Sequence, residues 1–176
     1  MGGWIRLQSH EGEGSTFTFC IPLKSIEDPV DQTSDEKLAV GPDSTGVRIL
    51  LADDEPMIRE IIGLTLTRRG WHTETAETGR VAIDKWMKGD FQIVLMDLQM
   101  PELDGLEATR RIRLMEKEGG KHTCIIGLTA HARSEVKELC RSAGMDQVLI
   151  KPIQSNDLFA LIESCLLKRV PPAETD

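Results

Sequence analysis

From residue 47 onward, short and nearly unbroken apolar runs alternate with stretches whose apolar positions recur every three or four residues. The runs are VRILLA (47–52), FQIVLM (91–96), CIIGL (124–128) and VLI (148–150). Parallel strands covered on both faces read this way, because neither face is left for polar side chains. WHTETA (71–76) alternates instead, which predicts an edge strand. Helical stripes fill the gaps. Ile58, Ile61, Ile62 and Leu66 make one, and Ala132, Val136, Leu139, Cys140 and Ala143 another. Leu158, Leu161, Ile162, Cys165 and Leu166 make a third, with Asn156 or Ser155 as its expected cap. Segments 78–88 and 104–117 also read as helices, though less cleanly striped. Five strand–helix units in so short a span predict a doubly wound α/β domain with helices on both faces of a parallel sheet.

Upstream the texture differs. WIRLQ (4–8) and STFTFCI (15–21) each alternate and are joined by glycines, which predicts a β-hairpin. A lone hairpin is marginal in water, so this one reads as the edge of something larger. Residues 24–46 carry two Lys against six Asp and Glu, with Pro29 and Gly41-Pro42, the composition of an acidic flexible linker.

Charge and composition narrow the function classes. The net charge of −8 belongs half to that linker, while residues 47–168 balance 17 basic against 19 acidic side chains. No basic stripe exists, so nucleic acid is not an expected partner. No stretch reaches the roughly 18 apolar residues of a membrane helix, and no signal peptide is visible. The expected location is cytoplasmic, without direct membrane contact. Cys20, Cys124, Cys140 and Cys165 are scattered without a C-x-x-C pair and read as reduced thiols, mostly in the core.

Ligands of doubly wound sheets collect at the carboxyl ends of the strands. Asp53, Asp54 and Glu55 follow the first strand, and Asp97 ends the third. Thr129 ends the fourth, and Lys151-Pro152 follows the fifth. Carboxylates this close repel and favour a shared proton or cation. Oxygen-only ligands suit Mg²⁺, and a carboxylate beside it can attack phosphorus to give an aspartyl phosphate. A Lys and a hydroxyl then stabilise the phosphoryl oxygens. Each residue alone has a structural alternative. Asp54, for example, could simply cap the helix that Pro56 opens. Their joint order along the strands favours a site.

At LLADDEP, VLMDLQMPELDG, IIGLTAHA and GMDQVLIKPI the chain resembles the receiver domain of two-component response regulators, over about residues 47–168. The resemblance implies a flavodoxin-like five-stranded sheet of order 2-1-3-4-5. It implies Asp97 as phospho-acceptor, with Asp54 as a direct Mg²⁺ ligand and Asp53 one mainly through water. The Gln99 backbone carbonyl would complete the metal site. Thr129 would contact the phosphoryl group, Lys151 would ion-pair with it, and the peptide before Pro152 would be cis. Receivers usually carry an aromatic three residues before the Lys; Val148 stands there, so the resemblance does not extend to Thr-to-aromatic signalling. His131 occupies the position where the family tunes dephosphorylation.

Residues 1–23 resemble the last hairpin of a histidine-kinase ATP-binding domain in their G-G-x-I, G-x-G-S-T-F and P-L pieces. Met-Gly-Gly occurs inside such kinases, so Met1 need not be a natural start. The expected organisation is a kinase remnant (1–23), linker (24–46), receiver (47–168) and tail (169–176), the C-terminal part of a hybrid sensor kinase whose parent is either soluble or membrane-anchored. Expected partners are a histidine kinase core in cis or in trans, or a histidine phosphotransfer protein, with a homodimer left open. The chain would catalyse its own phosphorylation and dephosphorylation, while the helix and glycine motifs that hold ATP are missing from it. Two rivals remain: an Asp-nucleophile phosphatase, disfavoured because position 99 is Gln and not a second acid, and an unphosphorylated interaction module.

Overall fold

A computed structural model describes residues 3–10, 12, 14–20, 46–120 and 122–169. The expected linker (24–46) and tail (169–176) lie outside these residues but for Gly46 and Arg169. Two compact units divide the chain, residues 1–37 and 38–176. In the first, β1 (Trp4–His10) and β2 (Gly14–Cys20) form an antiparallel hairpin whose register pairs Ile5 with Phe19 and Leu7 with Phe17. One face of it is therefore wholly apolar there, and all four side chains are exposed.

The second unit alternates β3 (Arg48–Ala52), α1 (Pro56–Arg68), β4 (His72–Ala76), α2 (Gly79–Lys88), β5 (Ile93–Asp97) and α3 (Gly105–Gly119). It continues with β6 (Cys124–Thr129), α4 (Ser134–Ala143), β7 (Gln147–Ile150) and α5 (Ser155–Arg169). The five strands are parallel in the order β4-β3-β5-β6-β7, the 2-1-3-4-5 order expected, with β4 at an edge.

The unbroken apolar runs have a simple cause. Successive side chains point to opposite faces of a sheet. Leu50, Ala52, Val94, Met96 and Ile125 enter one core beneath α2, α3 and α4. Ile49, Leu51, Ile93, Leu95, Ile126 and Leu128 enter the other, beneath α1 and α5. Each fully buried aliphatic side chain contributes about 1.5–3 kcal/mol by leaving water, so both cores hold the strand ends in place.

Helix starts follow their caps. Thr78 accepts a hydrogen bond from the Val81 amide (3.2 Å), and Asp104 Oδ1 accepts one from Glu107 (2.8 Å). Three expectations are corrected. Ser155 is itself the first residue of α5, so the preceding Gln154, whose carbonyl takes the Leu158 amide at 3.1 Å, occupies the cap position instead of Ser155 or Asn156. The α1 and α4 stripes are narrower than their sequence: Ile61 and Leu139 are exposed, and Ala132 precedes α4. A period of 3.6 marks which residues share a face, while the width of sheet beneath decides how many are covered. Lastly, Cys124 and Cys165, expected as reduced thiols, are joined as a disulfide, Cα–Cα 6.1 Å; β6 and α5 meet in one core across 41 residues of sequence. Cys140 is buried and free, Cys20 exposed and free.

Candidate functional site

The carboxyl ends of β3, β5, β6 and β7 bring together Asp53, Asp54, Asp97, Thr129 and Lys151. Asp53 follows β3 immediately and is 0% exposed. Its amide donates to the Ala76 carbonyl (3.1 Å), extending the β3–β4 ladder by one bond. Its Oδ1 accepts the Glu55 amide at 3.0 Å, and its Oδ2 accepts the Lys151 ammonium at 2.7 Å. A buried carboxylate needs such partners, since removing it from water unpaired is costly.

Asp54 is exposed and does not cap α1: Glu55 holds the cap position, and no side chain caps that helix. The structural alternative for Asp54 is thereby removed. One oxygen from each of Asp53, Asp54 and Asp97 lies within 4.8 Å of the others. Among the described residues this is the one group of three or more potential metal ligands.

Asp97 is the last residue of β5 and 6% exposed. Burial pushes its carboxyl above the ordinary range, the charge of Lys151 opposes that rise, and the charges of Asp53 and Asp54 add to it. Burial disfavours the Lys151 ammonium, but the hydrogen bond and charge of Asp53, with those of Asp97, outweigh it and hold the group above its usual value. Lys151 Nζ stands 3.2 Å from Asp97 Oδ1. It thus sits between two carboxylates.

Thr129 ends β6, 4% exposed. Its Oγ1 accepts the His131 amide (3.1 Å), and its carbonyl accepts the Lys151 amide (2.7 Å), tying hydroxyl and ammonium to one frame. The Lys151-Pro152 peptide is cis. Gln99 is exposed in the loop after Asp97. Val148, partly buried on β7, packs into the core beneath α4 and pairs with Gly127, so no aromatic side chain stands there.

The loop leaving Asp97 is fixed from behind. Leu98 donates to Leu128, and Gly105 donates back to Leu98. A Cβ on Gly105 would lie 2.0 Å from the Asp97 carbonyl oxygen, which no side chain tolerates. Gly105→Ala is expected to destabilise the protein by about 1–3 kcal/mol, the usual range for overpacking. A lower urea midpoint at unchanged slope would register it; an unchanged midpoint would mean the loop relaxes freely.

One functional neighbour escaped the sequence reading. Arg59 Nη1 donates to the Asp53 carbonyl at 2.6 Å, so Lys151 is not the only cation beside the acids. The signal existed: with Pro56 opening α1, a long side chain on its fourth residue leans back towards the helix start.

All donors of the acidic group are oxygens, and two carboxylates belong to the adjacent residues that follow β3. This donor set fits a hard divalent ion such as Mg²⁺, which takes few carboxylates and keeps water for a phosphate to displace.

The response regulator receiver domain family matches residues 49–163. The aerobic respiration control sensor protein ArcB of Escherichia coli is 31% identical over 163 residues, 93% of this chain and 20% of its own length. Hybrid signal transduction histidine kinase I of Dictyostelium discoideum is 36% identical over 128 residues, 70% of this chain and 7% of its own. The chain spans 7–20% of the length of the curated relatives it matches. A solved receiver domain of a sensor histidine kinase from Pseudomonas aeruginosa, with magnesium coordinated in its active-site cleft, superposes with TM-score 0.63 at 33% identity, covering 69% of this chain and 98% of that one. The receiver domain of Ssk1 from Saccharomyces cerevisiae, co-crystallised with the histidine phosphotransfer protein Ypd1, gives TM-score 0.68 at 26% identity, covering 73% and 94%.

Proposed function

The chain belongs to the response regulator receiver domain family, and from that premise we propose that Asp97 takes a phosphoryl group from a phosphohistidine within a hybrid-kinase phosphorelay. The observation that carries the assignment to Asp97 is the Lys151 ammonium, 3.2 Å from its carboxylate and 2.7 Å from Asp53, at the end of a buried strand.

The ionised Asp97 oxygen attacks phosphorus, the P–N bond breaks, and its electron pair stays on the ring nitrogen, so a phosphohistidine that carries a proton on its other ring nitrogen leaves as neutral imidazole. No base is needed, because a carboxylate attacks without losing a proton. Lys151 keeps its charge and neutralises one developing phosphoryl charge. The Thr129 Oγ1 accepts from His131, leaving its own O–H to donate to a phosphoryl oxygen. Asp54, Asp53, Asp97 and the Gln99 carbonyl would hold Mg²⁺, which supplies charge neutralisation at the phosphoryl oxygens. Added charge at these strand ends then biases the loop carrying Thr129 and His131 between two arrangements, from which the group is passed on or hydrolysed.

The partner we infer is a histidine phosphotransfer protein or a kinase core, supported by the yeast receiver found with such a protein and by similarity to sensor kinases over most of this chain. Residues 1–23 are assigned to the end of a kinase ATP-binding domain, 24–46 to a linker, 47–168 to the receiver and 169–176 to a tail. The exposed apolar face of Ile5, Leu7, Phe17 and Phe19 supports the first assignment, because such a face belongs against another layer. No helix among the described residues is long and apolar enough to cross a membrane.

Label on a phosphorylated histidine phosphotransfer protein is expected to move to this chain with Mg²⁺ present. Labelled ATP alone should leave the chain unlabelled. Transfer from ATP that survives removal of residues 1–46 would overturn the reading.

A further inference from the structure

Where β3 gives way to α1, one carbonyl is left over. The β3–β4 pairing ends at Ala52 opposite Ala76, and the first carbonyl of α1 to accept a helical bond is that of Glu55, from the Arg59 amide (3.1 Å). The Asp53 carbonyl therefore belongs to neither ladder, and no backbone amide among the described residues reaches it. Arg59 Nη1 takes it at 2.6 Å. That carbonyl is half of the Asp53–Asp54 peptide, the plane from which the Asp54 side chain departs. The Asp53 side chain is already held by Glu55 and Lys151. Among the described residues Asp54 has no comparable tether, and it is exposed, yet one of its oxygens lies within 4.8 Å of both Asp53 and Asp97. Lys85, across a cleft of about 240 Å³ that Arg59 also lines, gives its ammonium to the Thr75 carbonyl (2.7 Å) and does not substitute.

We propose that Arg59 is a positioning residue for the cation site: by gripping the Asp53 carbonyl from behind, it aims the Asp54 carboxylate and so sets the affinity for Mg²⁺. The proposal rests on the receiver reading of the acidic group. Arg59 touches neither the ion nor the phosphoryl group; it acts through one peptide plane.

The test uses the full chain and three proteins: wild type, Arg59→Met, which keeps the length of the side chain without a donor, and Arg59→Lys, which keeps a charge and a donor. Mg²⁺ binding is measured by titration calorimetry, and phosphorylation by acetyl phosphate across a range of Mg²⁺ concentrations. Groups that orient metal ligands typically change affinity 10–100-fold when lost. Arg59→Met should bind Mg²⁺ about tenfold more weakly and need about tenfold more for half-maximal phosphorylation, with the rate at saturating Mg²⁺ unchanged. Arg59→Lys should recover most of the affinity. A purely structural role would lower the melting temperature and the saturating rate without this split. Wild-type affinity in Arg59→Met, or no recovery in Arg59→Lys, overturns the positioning role and leaves the receiver reading intact. Failure of the wild type itself to bind Mg²⁺ and accept phosphate overturns both.

Discussion

Asp97→Asn is expected to abolish phosphate incorporation from acetyl phosphate and Mg²⁺, with intact-mass spectrometry showing one phosphoryl group on the wild type and none on the variant. Three rim acids compete for the role, and geometry separates them. Asp53 has both oxygens engaged, by Glu55 and Lys151. Asp54 is exposed and lies away from Thr129's strand, whereas Asp97 ends β5, whose final pair is Leu128 on β6, one residue before Thr129. An unchanged adduct in the variant would move the acceptor elsewhere. The same substitution has a stability consequence of known sign. Burial, opposed by Lys151 and reinforced by Asp53 and Asp54, raises the folded-state carboxyl above its ordinary value. A raised acid favours the folded state below its unfolded pKa, about 3.9, and that contribution is lost as pH rises through the folded value. At neutral pH the charged Asp97 thus counts against folding, and Asn, isosteric and neutral, removes that cost. The metal-free variant should melt above wild type at neutral pH, the gap closing as pH falls towards 4. Loss of phosphorylation together with a higher melting temperature cannot arise from misfolding.

The sheet was legible because its physics is local. A buried parallel strand must be apolar at every position, and Ile93 to Met96 satisfy both cores at once. The acidic rim was legible for the same reason: a charge ending such a run has no packing explanation. What stayed hidden depends on how elements meet. Ile61 and Leu139 fit their stripes yet stand in water, since a stripe cannot report how much sheet lies beneath it. Nothing in the sequence singles out Arg113 among the charges of α3, but it donates to the Gly144 and Thr123 carbonyls and to Asp146 and Glu116, joining α3 to the entries of β6 and β7. Those partners lie up to 33 residues away. Arg59 lay within reach of local reasoning, because its target is only six residues back, just past the end of β3 and before α1 begins.

Mg²⁺ should stabilise the fold, and Asp54 should decide whether it does. Two unit charges 4 Å apart interact by about 4 kcal/mol at an effective dielectric near 20, and solvent around the exposed Asp54 lowers the repulsion below that figure. Lys151 is committed to Asp53 and Asp97. Asp54 is left as the acid whose charge adds repulsion without an ion-pair partner among the described residues, and whose side chain does not cap α1. Removing it from the metal-free protein should therefore cost no stability. An ion that binds only the assembled site raises stability by about 2.7 kcal/mol at 100 times its dissociation constant, so wild-type melting temperature should climb with Mg²⁺. Asp54→Ala should melt at or above the metal-free wild type and stay there when Mg²⁺ is added. Melts of both proteins with and without Mg²⁺, at constant ionic strength to exclude general screening, separate the cases. A wild type indifferent to Mg²⁺ would mean that Asp53, Asp54 and Asp97 hold no metal. A fully responsive Asp54→Ala would place the ion on other groups and take Asp54 out of the chemistry.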